Sequence, residues 1–310
     1  MYREKLKVEI RNLRKVFRSP FSRKHTTALG SLNLDINDNE IFGYIGPSGS
    51  GKTTTIKLLM GIQIPTSGTA WILGKKIPDP SIKFLSGYLP EKLGLYNHMT
   101  GMNYLVFIGK LYGMTKTKAI DRAKTLLERL GLDKLKDKKI AKYSIGLKQR
   151  VGLAQSLIND PEVLLLDEPM TGLDPLEVKN LKEYLLELKD DGKTIFYSSP
   201  LFHDVESICD RIGILSEGRL VEVGRVNELL RTRISPIEIA VEGLNIEGFK
   251  KIYVLTKRTI KQEKYYRFFF TDFNDAQKAL KIINDNKATL RSYIPHPLSL
   301  EEYFISRSYI

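Results

Sequence analysis

Residues 41–60 have the sequence IFGYIGPSGSGKTTTIKLLM, the most informative segment of this 310-residue chain. The apolar run Ile41–Ile45 predicts a buried strand, and Ile56, Leu59 and Met60 share one face of a predicted helix. A strand, a glycine-rich loop and a helix in this order are typical of a phosphate-binding P-loop. The glycines allow the backbone to bend around an anion, so that the loop amides and the helix N-terminus point at a phosphate.

The P-loop contains the first candidate site residues. Lys52 is expected to reach the β- and γ-phosphates of a nucleotide, and the Thr53 hydroxyl is expected to bind Mg²⁺. The residues predicted to contact the nucleotide in this loop are Gly46, Pro47, Ser48, Gly49, Ser50, Gly51, Lys52, Thr53 and Thr54. The alternative is a glycine-rich turn that only caps a helix, but the spacing, the Lys-Thr ending and the strand–helix context favour a P-loop.

A second candidate for catalysis is the sequence VLLLDE at residues 163–168. A carboxylate at the end of a buried strand can lie opposite a P-loop and hold Mg²⁺, which is the role expected of Asp167. The adjacent Glu168 can polarise an attacking water as a general base. The alternative is a strand end that simply meets solvent, and the P-loop upstream favours the catalytic interpretation.

The composition indicates a globular protein. With 310 residues and 42% hydrophobic content, the chain can bury one large core or two unequal ones. The single cysteine, Cys209, excludes an intrachain disulfide, and no apolar run approaches the roughly 20 residues that cross a bilayer. The charged N-terminal sequence has no signal-peptide core, so a soluble, cytoplasmic protein is expected.

The net charge of +13 raises the question of a nucleic-acid partner. The basic residues are scattered, and no recognition-helix or RNA-binding signature accompanies them. A solvated surface with an anionic membrane face as its neighbour is therefore favoured, and no specific nucleic-acid partner is expected.

The order of predicted elements indicates an α/β fold. Strands that alternate with helices predict a mostly parallel sheet, and the early strands over residues 8–17 and 31–36 predict an antiparallel β layer beside it. Residues 84–89 are predicted as a further strand. The segment from about residue 98 to 158 has a helical pattern and predicts a helical subdomain.

The pattern changes near residues 231–236, which predicts a first domain over residues 1–232 and a second over residues 233–310. The second contains the strand-like segments IEIAVEG, KIYVLTK and YYRFFFTD, followed by a predicted helix over residues 275–286, a short strand and a terminal helix over residues 297–306. This order predicts a small α+β domain.

A third segment, YSIGLKQR at residues 143–150, has a serine and a glycine at the start of a predicted helix. A helix N-terminus binds anions, although Ser144 considered alone would be an ordinary N-cap. The order of P-loop, helical subdomain, Ser-x-Gly-x-x-Gln-Arg, Asp-Glu-Pro and GLDP (residues 172–175) resembles the ATP-binding subunits of ABC transporters. The resemblance covers roughly residues 4–230.

The resemblance implies an ABC-type ATPase core that binds ATP and Mg²⁺ and pairs head to tail with a second such domain. Each ATP would lie between the P-loop of one subunit and the Ser-x-Gly helix of the other. Ser144 and Gly146 are then expected to contact the γ-phosphate bound by the partner, and Asp174 is expected in the loop that couples the two sites. Phe17 occupies the position of the aromatic residue that stacks on adenine, with a core phenylalanine as the alternative.

The resemblance also implies partners and a location. A second ATP-binding subunit, most simply a second copy in a homodimer, would act with a membrane-spanning permease subunit on a separate chain. The protein would then be peripheral on the cytoplasmic face of the cell membrane.

Three positions depart from the family pattern. Ile145 replaces a glycine, and Glu91 stands where a glutamine commonly touches Mg²⁺ and the transport subunits, both of which a glutamate can do. Pro200 replaces a histidine that would contact the γ-phosphate, and a proline side chain offers no hydrogen bond. His203 is a candidate substitute, although it is more typical of a surface helix residue. Pro200 therefore predicts slow hydrolysis.

The sequence PLSLEEYFI at residues 297–305 resembles the ending of subunits that serve ABC-2-type exporters. An amphipathic helix that closes a small domain is the alternative, and both can hold. The expected function is an ATPase subunit that powers an exporter. A non-hydrolysing or slow regulatory subunit is the alternative that Pro200 and Ile145 suggest, and Glu168 disfavours its non-hydrolysing form. A soluble ABC ATPase acting on ribosomes or nucleic acid usually has two cassettes or a long coiled coil, and this chain has neither.

Overall fold

The structure, a computed structural model, describes residues 6–18, 25–231, 237–262 and 264–295. The chain divides into two compact units, Met1–Arg225 and Val226–Ile310. The domain boundary predicted between residues 232 and 233 lies outside the described residues and stays a prediction. Across the described ranges, no helix combines the length and the apolar character needed to span a membrane.

The first unit alternates strands and helices. Its strands are β1 (Leu6–Arg18), β2 (His25–Asn37), β3 (Ile41–Ile45), β4 (Ser67–Ile72), β5 (Lys75–Lys76), β6 (Ser86–Leu89), β7 (Val163–Asp167), β8 (Thr194–Ser199), β9 (Arg211–Ser216) and β10 (Arg219–Arg225). Its helices are α1 (Lys52–Leu59), α2 (Ile82–Leu85), α3 (Gly101–Leu111), α4 (Lys116–Arg129), α5 (Ile145–Ser156), α6 (Pro175–Asp190) and α7 (Phe202–Glu206).

Two sheets form the framework of this unit. Within the described residues, one sheet is antiparallel with the order β2-β1-β4-β5, and the other has the order β10-β9-β3-β8-β7-β6. In the second sheet β6, β7, β8, β3 and β9 run parallel, and β10 is an antiparallel edge strand. The predicted parallel core with an antiparallel layer is thus confirmed. Because parallel strands end at the same sheet edge, the ends of β3, β7 and β8 lie side by side.

The predicted helical subdomain corresponds to α3, α4 and α5. Thr100 caps α3 by accepting a hydrogen bond from the backbone amide of Asn103, and Gly131 follows α4 with a left-handed φ of 66°. The strand predicted over residues 84–89 is wrong in its first two residues, because Ile82–Leu85 forms α2 and β6 begins at Ser86. The Asp79 carboxylate accepts hydrogen bonds from the amide and hydroxyl of Ser81 just before this helix, a local turn that starts the helical geometry.

The second unit is a small α+β arrangement. Its elements are α8 (Val226–Arg231), β11 (Ile237–Glu242), α9 (Ile246–Leu255), β12 (Arg258–Lys261), β13 (Tyr265–Phe270), α10 (Phe273–Asp285) and β14 (Thr289–Pro295). The antiparallel strand order β12-β13-β11-β14, with this β-α-β-β-α-β succession, is ferredoxin-like. The core between sheet and helices includes Ile239, Ile252 and Phe268. The terminal helix predicted over residues 297–306 lies outside the described residues.

The strand predicted for KIYVLTK is wrong, because residues 251–255 are the last turns of α9. Asn245 caps this helix by accepting a hydrogen bond from the Gly248 amide at 2.7 Å. Phe249, Ile252 and Leu255 then recur at a spacing of three residues and pack toward the sheet, so the tertiary contacts favour a helix over the β-branched local pattern.

Candidate nucleotide-binding and catalytic site

The P-loop joins β3 to α1, as the sequence predicts. Gly51 precedes α1 with a φ of 114°, a conformation that L side chains rarely adopt. A Cβ atom added to Gly46 would lie 2.2 Å from the carbonyl oxygen of Leu215 on β9. Glycine is therefore required at both ends of the loop, one for its backbone angle and one for a close approach to the neighbouring strand.

Lys52 is buried at the start of α1 with its ammonium group inside the loop. Its Nζ donates hydrogen bonds to the carbonyl oxygens of Gly46 at 2.7 Å and Pro47 at 3.2 Å, and lies 3.4 Å from Glu168 Oε1. The buried cation thus stands between the glycine-rich loop and a carboxylate at the end of β7. A phosphate seated in the loop would find a positive charge already in place.

Asp167 is fully buried at the end of β7. Its Oδ1 accepts hydrogen bonds from Thr53 Oγ1 at 3.2 Å and from Ser198 Oγ at 2.8 Å. Burial raises the pKa of this carboxyl above its ordinary value of 3.8, and the negative charges of Glu168 and Glu91 act in the same direction, while the two hydrogen bonds oppose them.

The other oxygen of Asp167, Oδ2, has no hydrogen-bond partner among the described residues although it is buried. A buried carboxylate oxygen without a partner is costly unless a cation or donor meets it. Carboxylate and hydroxyl oxygens are ligands that Mg²⁺ prefers, and Thr53 supplies a hydroxyl beside Asp167. The donor set therefore fits Mg²⁺.

Glu168 has an unusual backbone for a non-glycine residue, with a φ of 50°. Its amide donates to the hydroxyl of Ser198 at 3.1 Å and to the Ser198 carbonyl oxygen at 3.2 Å. Its carboxylate is 14% exposed, and Oε2 accepts a hydrogen bond from Thr171 Oγ1 at 3.5 Å. Glu168 is thus held beside Lys52 yet open to solvent, as a base that activates water must be.

Two more predicted site residues lie at the end of β6 and on β1, which belong to different sheets. Glu91 is exposed and follows β6, whose Leu89 pairs with Leu166 of β7, so its charge acts on the Asp167 carboxyl. Phe17 on β1 is 40% exposed, with the Lys15 ammonium 5.0 Å from its ring centroid. The interpretation of Phe17 as a core residue is therefore wrong, and its ring is accessible for stacking.

The Ser-x-Gly segment forms a second group of predicted residues. Ser144 is the N-cap of α5 and accepts a hydrogen bond from the Leu147 amide at 3.2 Å. Asp174 is the N-cap of α6 and forms a capping box with Glu177. Asp174 Oδ1 accepts a hydrogen bond from the Glu177 amide at 2.8 Å, and Glu177 Oε2 accepts one from the Asp174 amide at 3.3 Å. A Cβ added to Gly146 would lie 1.9 Å from Glu177 Oε1, so Glu177 connects Gly146 with Asp174.

Two residues at these sites, Glu177 and Ser198, were not predicted from the sequence. The pattern Asp-x-x-Glu at residues 174–177 is a capping-box signal and could have identified Glu177, although not its contact with Gly146. Ser198 had no comparable signal, because its contacts with Asp167 and Glu168 arise from the pairing of β7 with β8. Both residues contact predicted site residues in the structure, although the sequence motifs assign neither of them a role.

Pro200 lines a cavity of about 610 Å³ together with Glu168, Thr171 and His203. His203 is largely exposed, and its Nε2 lies 3.3 Å from Asp204 Oδ1. The histidine therefore shares the cavity with Glu168 but has a carboxylate of its own helix as its partner.

Comparison with known proteins identifies the family. A family model described as ABC transporter matches residues 29–171. The chain is 37% identical over 301 residues to an ABC transporter ATP-binding protein of Synechocystis sp., covering 96% of this chain and 83% of the relative. It is 33% identical over 284 residues to the bacitracin transport ATP-binding protein BcrA of Enterococcus faecalis, covering 86% and 90% of the two chains.

Solved structures agree with this family. A dimeric ATP-binding cassette in a post-hydrolysis state, bound to ADP and Pi, has a TM-score of 0.66 and 25% identity, and covers 71% of this chain and 98% of the other. CbiO1 of Clostridium perfringens, part of an ABC transporter complex, has a TM-score of 0.65 and 26% identity over 74% of this chain and 92% of its own. The chain therefore belongs to the ABC transporter family, as an ATP-binding and ATP-hydrolysing subunit that powers transport.

Proposed function

We propose that this subunit powers an exporter, and that two copies close head to tail around ATP and pass the motion to a membrane-spanning permease on a separate chain. Export is supported by the name of one relative, a Nod factor export ATP-binding protein, and two other relatives are named for bacitracin transport and linearmycin resistance. The PLSLEEYFI ending, outside the described residues, supports an ABC-2-type exporter. The subunit would then lie on the cytoplasmic face of the cell membrane.

Nucleotide binding uses the P-loop and the exposed ring of Phe17. The loop amides and Lys52 bind the β- and γ-phosphates, and Phe17 stacks on adenine. Thr53 and the free Oδ2 of Asp167 would hold Mg²⁺, with Glu91 contributing charge next to it. Mg²⁺ held there would offset the negative charge of the phosphates.

The observation that carries the catalytic assignment is the contact of Lys52, at the start of α1, with Glu168, which directly follows Asp167 at the end of β7. Glu168 accepts the proton of the attacking water as that water bonds to the γ-phosphorus, and the bond to the leaving ADP oxygen breaks. Lys52 stabilises the charge that moves onto the phosphate oxygens. The 3.4 Å separation of Lys52 and Glu168 supports joint action at one phosphate.

The second copy would complete each site with the N-terminus of its α5. The backbone amides there and the Ser144 hydroxyl are donors for a γ-phosphate, and the helix dipole favours the negative charge. Asp174 shares its capping box with Glu177, which also packs on Gly146. This contact gives a physical route by which the loop at Asp174 and the anion site at Gly146 move together.

Mixing two inactive variants tests the shared site. Lys52→Ala removes the P-loop cation, and Ser144→Arg blocks the N-terminus of α5, so each homodimer has two defective sites. A mixed dimer has one site with both defects and one intact site, so an equimolar mixture should recover about one quarter of wild-type turnover.

The control is a chain with both substitutions, mixed with Lys52→Ala, since that pair contains no intact site in any combination. Recovery in the first mixture and none in the control supports the head-to-tail dimer. No recovery in either mixture contradicts it. Co-purification of the wild-type chain with a membrane-spanning subunit from its own cells tests the transport partner.

A further inference from the structure

Ser198 lies on β8 at the point where β7 ends. It is fully buried and pairs directly with Asp167 in the parallel register of the two strands. Its hydroxyl donates to Asp167 Oδ1 at 2.8 Å and accepts from the Glu168 amide at 3.1 Å. One side chain therefore touches both of the adjacent acidic residues at the candidate catalytic site.

The first contact selects which oxygen of Asp167 remains free. A serine hydroxyl has one proton to donate, and Ser198 gives it to Oδ1, where the Thr53 hydroxyl also donates. Oδ2 is left buried and without a partner among the described residues. The carboxylate is thereby held in a single orientation that presents one oxygen for a cation.

The second contact acts on the backbone of Glu168. A φ of 50° is unfavourable for a residue with a side chain and persists only where its surroundings hold it. The Glu168 amide has two acceptors, and both belong to Ser198: its hydroxyl and its carbonyl oxygen. The hydroxyl thus helps to hold the backbone angle that directs the Glu168 side chain toward Lys52.

We propose that Ser198 is a positioning residue for ATP hydrolysis, whose hydroxyl orients the metal-binding carboxylate of Asp167 and the base Glu168 at the same time. The inference rests on the roles given to Asp167 and Glu168 in the proposed function. Loss of the hydroxyl should weaken metal binding and slow the chemical step together. ATP affinity without metal should not change, because the P-loop that binds the phosphates keeps all its groups.

Ser198→Ala in the full chain tests this, with Ser86→Ala as the matched control. Ser86 is also a fully buried serine of the same sheet, but it pairs with Val163 at the other end of β7, and its hydroxyl donates to the Ile82 carbonyl at 2.5 Å. Three quantities are measured: the single-turnover rate with saturating Mg-ATP, Mn²⁺ affinity of the ATP complex by electron paramagnetic resonance, and ATP affinity in EDTA.

Ser198→Ala should lower the rate and the Mn²⁺ affinity by about 10- to 100-fold, as is typical when a residue that orients a metal ligand is lost. ATP affinity in EDTA should stay within about twofold of wild type, since binding through the P-loop is independent of Asp167. Ser86→Ala should match wild type in all three. A Ser198→Ala chain with the rate and Mn²⁺ affinity of Ser86→Ala would overturn the proposal.

Two further variants separate the causes. Ser198→Thr keeps a hydroxyl and should recover most of the single-turnover rate. A folded Ser198→Thr chain as slow as Ser198→Ala would show that the lost hydroxyl does not cause the slow rate, and would also overturn the proposal. Asp167→Asn should lose Mn²⁺ binding. If Asp167→Asn bound Mn²⁺ like wild type, the role assigned to Asp167, and with it the proposed metal site, would be wrong irrespective of Ser198.

Discussion

Replacing Gly146 with alanine should force the Glu177 carboxylate away from the N-terminus of α5. The added Cβ would lie 1.9 Å from Glu177 Oε1 and 2.2 Å from Cδ, distances at which atoms overlap. The Glu177 side chain would have to rotate. It would then lose its hydrogen bond from the Asp174 amide and its approach to Arg150 Nη2 at 3.7 Å.

The cost can be worked out from these contacts. All three atoms nearest the added Cβ belong to the end of the Glu177 side chain, which can rotate away, so the cost is mainly the lost half of the capping box, about 1 kcal/mol of unfolding free energy. The partly exposed ion pair with Arg150 adds little. Glu177→Ala alone should cost about 1 kcal/mol through the lost cap.

The two substitutions should be strongly coupled. With Glu177→Ala already present, the alanine at position 146 meets no carboxylate, and it gains up to about 1 kcal/mol because alanine favours a helix more than glycine does. Because both single variants lose the same capping hydrogen bond, the double-mutant cycle should give a coupling energy of about 1 kcal/mol. The double variant should be more stable than expected from adding the losses of unfolding free energy in the two single variants.

Urea unfolding of the four chains measures this coupling, followed by fluorescence of Trp71. It is the single tryptophan of the sequence and lies on β4, so the signal reports on the first unit. Gly94→Ala is the control, because a Cβ there meets no atom within 4 Å. Additive effects of the two substitutions would refute the contact between Gly146 and Glu177.

Three other side chains have expected outcomes. Phe17→Ala should raise KM for ATP by about 5- to 150-fold with little change in kcat, since a base–aromatic stack contributes about 1–3 kcal/mol of binding free energy. Phe17→Tyr keeps an aromatic ring and should match wild type in the same steady-state assay. Pro200→His should raise the single-turnover rate with saturating Mg-ATP by about tenfold or more by adding a γ-phosphate donor, and an unchanged rate would exclude Pro200 as a cause of slow hydrolysis. Burial raises the pKa of Asp167, so the folded state favours the protonated carboxyl and loses stability as the pH rises above the ordinary value of 3.8. Asp167→Asn should therefore stabilise the metal-free protein at about pH 7 and not at about pH 3, as urea unfolding in EDTA would measure.

The sequence predicts the parallel core well because its signals are local. The P-loop is defined by a five-residue apolar run, a glycine-rich turn and the start of a helix. No residue with a side chain fits at Gly46 or Gly51 without strain or a clash. The same holds for β7, whose five residues are all buried. In each case one short segment contains both the signal and the reason for it.

Predictions failed where tertiary contacts decide the local structure. Residues 251–255 favour a strand by composition, but the cap at Asn245 and the packing of Phe249 and Ile252 on the sheet make them helical. Phe84 is apolar yet 56% exposed, so its burial could not define a strand. Local preference was overruled in the first case by packing and in the second by a turn.

The connections within the site also depend on tertiary structure. Ser198 is about thirty residues from Asp167 in the chain, and only the β7–β8 register brings its hydroxyl to the carboxylate. Glu177 reaches Gly146 because α6 packs beside the start of α5. Motif spacing identifies which residues are expected to bind the phosphates. The residues that orient those side chains, such as Ser198 and Glu177, are found only from strand pairing and helix packing.

ATP should close two copies of this chain into a dimer, and light scattering on Glu168→Gln measures that closure. This variant keeps the size and the backbone of Glu168 but removes its charge, so ATP should bind without being consumed. With ATP, we expect this variant to form a stable particle of twice the 35.4 kDa chain mass, while the wild-type chain returns to monomer as ATP is hydrolysed. An ATP-bound Glu168→Gln chain that remains a monomer would show that ATP does not close a dimer of this chain.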